Sequence, residues 1–264
     1  MKLLLQSDWQ ADNMTAPVKQ AIEQLKWKNG YTTIDSISAT FNWLQLQRDL
    51  TYKDYTPIGT VEFVKAFAEK IGVKLPDPIH GTELLKLEGR WFNKGILRKA
   101  LSPTDIYPDP LFPVFVKPFT ELKKFTGFIA RSDKDFDLYL EVDWSTTKLF
   151  CTQVLENIVS EWRCYVLNGK VFACVNYSGD PLEFPNEHAI KLMISNLEGE
   201  WKKSPVAYSL DVAICVEEVR EPYSWFTTRF IEINDAYALG YYGGDVELYT
   251  KMLDLRWKEI IKNQ

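Results

Sequence analysis

The chain has 264 residues, enough for one large domain or for roughly two to three small ones with real cores. Hydrophobic residues make up 46% and charged residues 25%, the ordinary balance of a globular protein. A formal net charge of −5 excludes a broad basic surface for nucleic acid or anionic lipid, and no apolar run approaches the roughly 18 residues that span a bilayer.

The opening Met1-Lys2-Leu3-Leu4-Leu5 is too short for an export core, because Gln6, Ser7 and Asp8 follow at once; residues 2–5 read as a buried strand. Ala16 to Lys26 predicts an amphipathic helix with Val18, Ile22 and Leu25 on one face. Tyr31 to Ile37 is strand-like, and Thr60 to Ile71 predicts a second helix with Val61, Val64, Phe67 and Ala68 inward. This opening suggests a small α/β unit ending near residue 80. Prolines recur from Pro76 to Pro118, interrupted by a partly helical stretch from Glu83 to Ala100, and mark a boundary with a connection.

After Pro113 short β-rich segments follow one another: Val114 to Lys117, Gly127 to Ala130, Leu138 to Val142, Leu149 to Val154, Glu161 to Leu167 and Lys170 to Tyr177. Asn168-Gly169 between two alternating runs is the strongest hairpin signal in the chain. Glu187 to Leu197 reads as a helix with Ile190, Met193 and Ile194 on its apolar face. Ser209 to Val216 and Arg229 to Ile233 read as strands, and Val246 to Ile261 as a final helix. The fold class is therefore α+β, with antiparallel sheets after the N-terminal unit.

The four cysteines show no CxxC spacing, and three of them lie in apolar, strand-like contexts; a reduced, cytoplasmic setting is the simpler expectation. Two histidines give a zinc site or a Ser–His–Asp triad little to draw on.

Four places could carry chemistry. Lys117 in Phe115-Val116-Lys117-Pro118 closes a strand and could offer its ammonium to a phosphate, although taken alone it reads first as an exposed strand end. The turn Glu121 to Gly127, with Lys123 and Lys124, could wrap phosphates but has a single glycine, and a solvated basic turn is its simpler reading. Glu161 and Arg163 alternate with Trp162 and Cys164, so they share a strand face, either as an ion pair or as the lining of a cleft. Glu232 and Asn234 also share a strand face, between Ile231 and Ile233. Asp211 is an acid in an otherwise apolar strand, costly without a partner or a metal. Pairing the two strands would place three oxygen ligands together, a set that suits Mg²⁺.

The order of these parts resembles the ATP-grasp superfamily, most closely its R2K clade, over roughly residues 86 to 250. The resemblance implies an ATP-grasp fold in which two α+β subdomains, 86–155 and 156–264, grip ATP behind a small N-terminal α/β domain, 1–85. It implies that Lys117, Lys123 and Lys124 meet the nucleotide phosphates. Gln153, Val154 and Leu155 would form the hinge to adenine, and Glu161 would hold the ribose hydroxyls. Arg163 would face the γ-phosphate or an acyl phosphate, and Asp211, Glu232 and Asn234 would bind magnesium. Arg229 and the loop Asp235 to Gly240 would face an acceptor pocket. An upstream lysine common in the family has two candidates here, Lys94 and Lys99. The expected cofactors are ATP and Mg²⁺. The expected activity is ligation of a carboxylate, activated as an acyl phosphate, to an amine. A phosphotransferase and a non-catalytic nucleotide-binding module are the alternatives. The expected partners are ATP, a carboxylate and an amine acceptor, with neither nucleic acid nor membrane.

Overall fold

The computed structural model describes residues 2–6, 33–37, 54–101, 111–121, 124–200, 204–220 and 223–264. The helix expected at residues 16–26 and Lys123 lie outside them.

Three sheets organise the described residues. The first is parallel, with β1 (Lys2–Gln6) between β2 (Thr33–Ile37) and β3 (Thr56–Ile58). Its apolar run needs no alternation because both faces of β1 are covered. Leu4 packs among Phe63, Phe67 and Trp257, while Leu3 and Leu5 pack among Tyr165, Met252 and Leu253. Helix α1 (Val61–Lys70) starts where Thr60 Oγ1 caps the Phe63 N–H at 3.2 Å. It buries Phe63, Val64, Phe67 and Ala68, so Phe63 takes the inward place expected of Val61. A short helix α2 (Thr82–Leu87) follows.

The second sheet is antiparallel, in the order β4 (Phe92–Gly95), β7 (Leu149–Gln153), β5 (Val114–Pro118), β6 (Phe128–Ala130). Val114, Val116, Leu149 and Cys151 point to one face, where helix α3 (Leu97–Leu101) and a cluster of aromatic rings bury them. By alternation Phe115, Lys117 and Phe150 point to the other face.

One sequence expectation fails here. Leu138 to Val142 is no strand: residues Asp133–Leu138 form a 3-10 turn, and Leu140 is 91% exposed. Asp135 Oδ2 accepts the Arg131 and Ser132 N–H groups at 2.6 and 2.9 Å, and such local bonds draw the backbone away from a ladder.

The third sheet is antiparallel, in the order β11 (Tyr223–Asp235), β10 (Ala207–Arg220), β8 (Ile158–Leu167), β9 (Lys170–Gly179). The β8–β9 turn has Asn168 and Gly169 at φ 51° and 69°, the left-handed pair that a tight hairpin needs. One sheet face, with Trp162, Leu210, Val212 and Phe230, packs on helix α4 (Glu187–Glu200), on α2 and on Phe150 of the second sheet. The opposite face carries Arg163, Asp211 and Glu232, and farther along Tyr165, which meets helix α5 (Val246–Lys262). Phe150 and the loop around His80 thus bring the second sheet against the β11 side of the third.

Candidate functional site

The pairing register aligns Arg163, Asp211 and Glu232 across β8, β10 and β11. A bulge between Asp211 and Val212 follows, leaving Ile231 without a partner residue on β10. Bulges of this kind re-aim side chains, and here the one beyond the bulge is Glu232. Asn234 Nδ2 lies 3.0 Å from Glu232 Oε1 and 3.3 Å from Asp211 Oδ2, so both carboxylates converge on one point.

Asp211 is 1% exposed, and burial pushes its carboxyl up to about 6 against the pull of Arg163. Arg163 grips it as a fork, Nε to Oδ1 at 2.9 Å and Nη2 to Oδ2 at 2.6 Å. The third guanidinium nitrogen donates to the Gly240 carbonyl at 3.2 Å, and the Tyr242 ring lies 4.5 Å from the group. Arg163 is therefore committed to Asp211 and the Gly240 loop. Of the two open readings for Glu161 and Arg163, the ion pair between them does not form. Arg163 forms an ion pair, but with Asp211, while Glu161 is half-buried and accepts from the Tyr177 hydroxyl at 2.9 Å.

Lys117 Nζ lies 4.0 Å from Glu232 Oε2 and over the Phe150 ring, so it is no free strand end. Burial lowers its ammonium, and Glu232 and then Asp211 hold it up. Register places Lys94, Phe150 and Lys117 in one row across β4, β7 and β5. Lys94 rather than Lys99 therefore shares the face of Lys117. Its Nζ sits 5.3 Å from the centre of the Phe119 ring. His80 packs against both Phe119 and Phe150, with ring centres at 4.7 and 4.5 Å and the two phenyl rings 6.4 Å from each other, and its Nε2 lies 2.8 Å from the Phe119 carbonyl oxygen. That bond assigns the proton to Nε2. Burial, then Lys117, lower its pKa to about 4. His80, Lys117, Glu232, Asn234, Asp235 and Tyr237 share a pocket of about 140 Å³.

The remaining expected residues lie elsewhere. Gln153, Val154 and Leu155 line a separate cleft of about 670 Å³ together with Arg90, Glu217 and Arg229. Arg229 is paired with Glu217. Lys124 bonds Glu121 across its own turn at 3.0 Å. Asp235 is clamped by Arg256 through two bonds of 2.8 and 2.6 Å and caps the next turn at Tyr237 N–H. The structure thus gathers Lys117, Asp211, Glu232 and Asn234, keeps Arg163 behind them, and turns Lys124 and Arg229 to other partners. The sequence leaves Lys94 and Lys99 open as candidates and does not single out His80. The alternation around Lys94 spans only four residues, and the place of His80 depends on rings distant in sequence.

The donor set fits magnesium. Among the described residues no group of three His, Cys, Asp or Glu side chains forms a protein-only cage. Two converging carboxylates and an amide that can turn its oxygen inward match an ion that takes few protein ligands and completes its shell with phosphate and water.

Comparison with known proteins bears on the same elements. Residues 94–252 match the family model described as ATP-grasp domain, R2K clade family 2. No curated protein matches the chain. Among solved structures, D-alanine–D-alanine ligase from Bacillus anthracis complexed with ATP superposes with a TM-score of 0.54 at 12% identity, covering 100% of this chain and 98% of that one. N5-carboxyaminoimidazole synthetase from Staphylococcus aureus gives 0.56 at 12% identity, with coverage of 97% and 77%. A RimK domain ATP-grasp protein from Sphaerobacter thermophilus gives 0.50 at 12% identity, with coverage of 99% and 98%. At such identity the likeness speaks for the fold.

Proposed function

The chain belongs to family 2 of the R2K clade of ATP-grasp domains, and on that premise we propose that it is an ATP- and Mg²⁺-dependent ligase that joins a carboxylate to an amine. The observation that carries this reading is the convergence of Asp211, Glu232 and Asn234 beside Lys117, where the second sheet meets the third. Ligases among the solved structures of the same fold support it.

In this reading Glu232, Asn234 and Asp211 would hold the cation, which when bound screens the phosphate charges and polarises the transferred group. Arg163 fixes the orientation of Asp211 through its fork, so the carboxylate keeps its place when ligands come and go. Lys117 supplies a cation beside Glu232, and Lys123 and Lys124 belong to the turn that would close over the phosphates. Gln153 to Leu155 offer backbone groups to the base, and Glu161 offers a carboxylate to the ribose hydroxyls. Arg229, paired with Glu217, lines the hinge cleft and so would serve the nucleotide end of the site rather than an acceptor. A bound carboxylate then attacks the γ-phosphorus, the bond to the β-phosphate oxygen breaks, and ADP leaves. The amine adds to the acyl phosphate and expels phosphate. The chain need supply no covalent nucleophile.

Turnover with pooled carboxylates and amines tests this, with ADP, AMP and phosphate measured separately. ADP and phosphate should form, and Glu232→Ala with Asn234→Ala should lower the rate by about a hundredfold or more. AMP as product, or unchanged turnover in that double variant, would refute the ligase reading. ADP with a phosphorylated substrate and no condensation would make the chain a phosphotransferase.

A further inference from the structure

The turn after α2 grips an edge strand by its backbone. Among the described residues β11 has a strand on one side only, so its outward N–H and C=O groups need other partners. At Phe230 the N–H donates to Glu88 Oε1 at 2.6 Å, and the carbonyl accepts from Arg90 Nη1 at 2.6 Å. The same guanidinium donates to Glu88 Oε2 at 3.2 Å and, through Nη2, to the Gln153 carbonyl at 3.1 Å. The two side chains are only 10% and 7% exposed, and the Arg90 N–H is itself tied to the Leu85 carbonyl at 2.8 Å. One planar group therefore links the end of β7 to β11, next to the bulge that aims Glu232.

We propose that Arg90, oriented by Glu88, is a positioning residue that fixes the spacing between the hinge at Gln153–Leu155 and the carboxylate of Glu232, so that base recognition and cation binding reinforce each other. This rests on the nucleotide reading above. A bond to a charged donor is stronger than one between neutral groups, and two carbonyls held by one rigid fork cannot separate independently. Lysine at this position could keep the ion pair with Glu88. Its single ammonium on a flexible stem has no planar fork to hold both carbonyls in register. Among the described residues the buried Arg90 Nε finds no partner, which marks the cost of this placement: the guanidinium gives up one donor to span the junction.

The test is calorimetric titration of the full chain with ATP, with and without Mg²⁺, for wild type, Arg90→Lys and Glu88→Gln, with thermal melting to verify folding. Wild type should bind ATP more tightly with Mg²⁺. Arg90→Lys should weaken the Mg²⁺-loaded complex by about tenfold while weakening metal-free ATP less, so the gain from Mg²⁺ shrinks. Glu88→Gln, which keeps an acceptor for the Phe230 N–H, should move the gain in the same direction by a smaller factor. A gain preserved in Arg90→Lys, whether both affinities are unchanged or fall by one common factor, would overturn the clamp alone. Absence of ATP binding by the wild type would overturn the nucleotide reading, and the clamp with it.

Discussion

Arg163 and Asp211 show how much of a site can be spent on holding one group still. Both are buried, and removing one partner of a buried pair strands the other charge. Arg163→Ala is therefore expected to cost about 3–5 kcal/mol of stability, measured by urea denaturation at pH 7. A loss below about 1 kcal/mol would mean that Asp211 is held by other groups. His80 gives a pH signature. Its folded pKa of about 4 lies below the ordinary 6.5, so the unfolded chain binds the proton more readily. The stability it contributes is complete above pH 6.5 and is lost as pH falls towards 4, about 3 kcal/mol in all. Denaturation midpoints taken from pH 7 to pH 4 should fall less steeply for His80→Gln than for wild type. Parallel curves would count against the buried neutral ring. Cys151 is buried and its thiol is pushed up to about 12, so it should resist iodoacetamide at pH 7.5 until the chain is unfolded.

At the level of elements, legibility followed the range of the forces involved. Strands β5, β8, β9, β10 and β11 carry apolar or alternating runs, and the expected segments fall inside the observed ones, although β10 and β11 extend well beyond the expected 209–216 and 229–233. Because Glu232 and Asn234 sit on such a strand, their shared face was legible too. The three-residue β3 and the four-residue β4 were not: β3 contains Pro57, which argues against a strand, and β4 lies within the stretch from Glu83 to Ala100 that reads as partly helical. The Leu138 segment misled because its leucines alternate with polar residues, while the neighbouring Asp135 bonds decide its shape. Two glycines separate backbone strain from steric clash. Gly169 has φ 69°, and the nearest atoms to an added methyl, those of the Glu198 carboxylate, begin at an ordinary contact distance of 3.5 Å, so Gly169→Ala should cost about 1 kcal/mol. Gly179 has φ 74°, and its methyl would lie 2.0 Å from the Val159 carbonyl oxygen. Gly179→Ala should cost clearly more, and equal melting temperatures for the two variants would contradict the register of β8 and β9.

For the whole molecule, the α+β class and the family were legible because several loose motifs occur in one order along the chain. Long-range placement was not. Only the folded chain sets His80 against two rings, puts Lys94 in the row of Lys117, and brings Arg90 to both Gln153 and Phe230. No described helix is long and apolar enough to cross a membrane. The assembly that results has carboxylates and a lysine meeting between two sheets, with a separate hinge-lined cleft beside Arg229. The most direct test of an acyl-phosphate ligase follows the oxygen atoms. Carboxylates labelled with ¹⁸O are supplied with amines, ATP and Mg²⁺, and the released phosphate is weighed by mass spectrometry. Ligation through an acyl phosphate predicts ADP together with phosphate carrying one ¹⁸O from the carboxylate; unlabelled phosphate, or AMP with pyrophosphate, would contradict it.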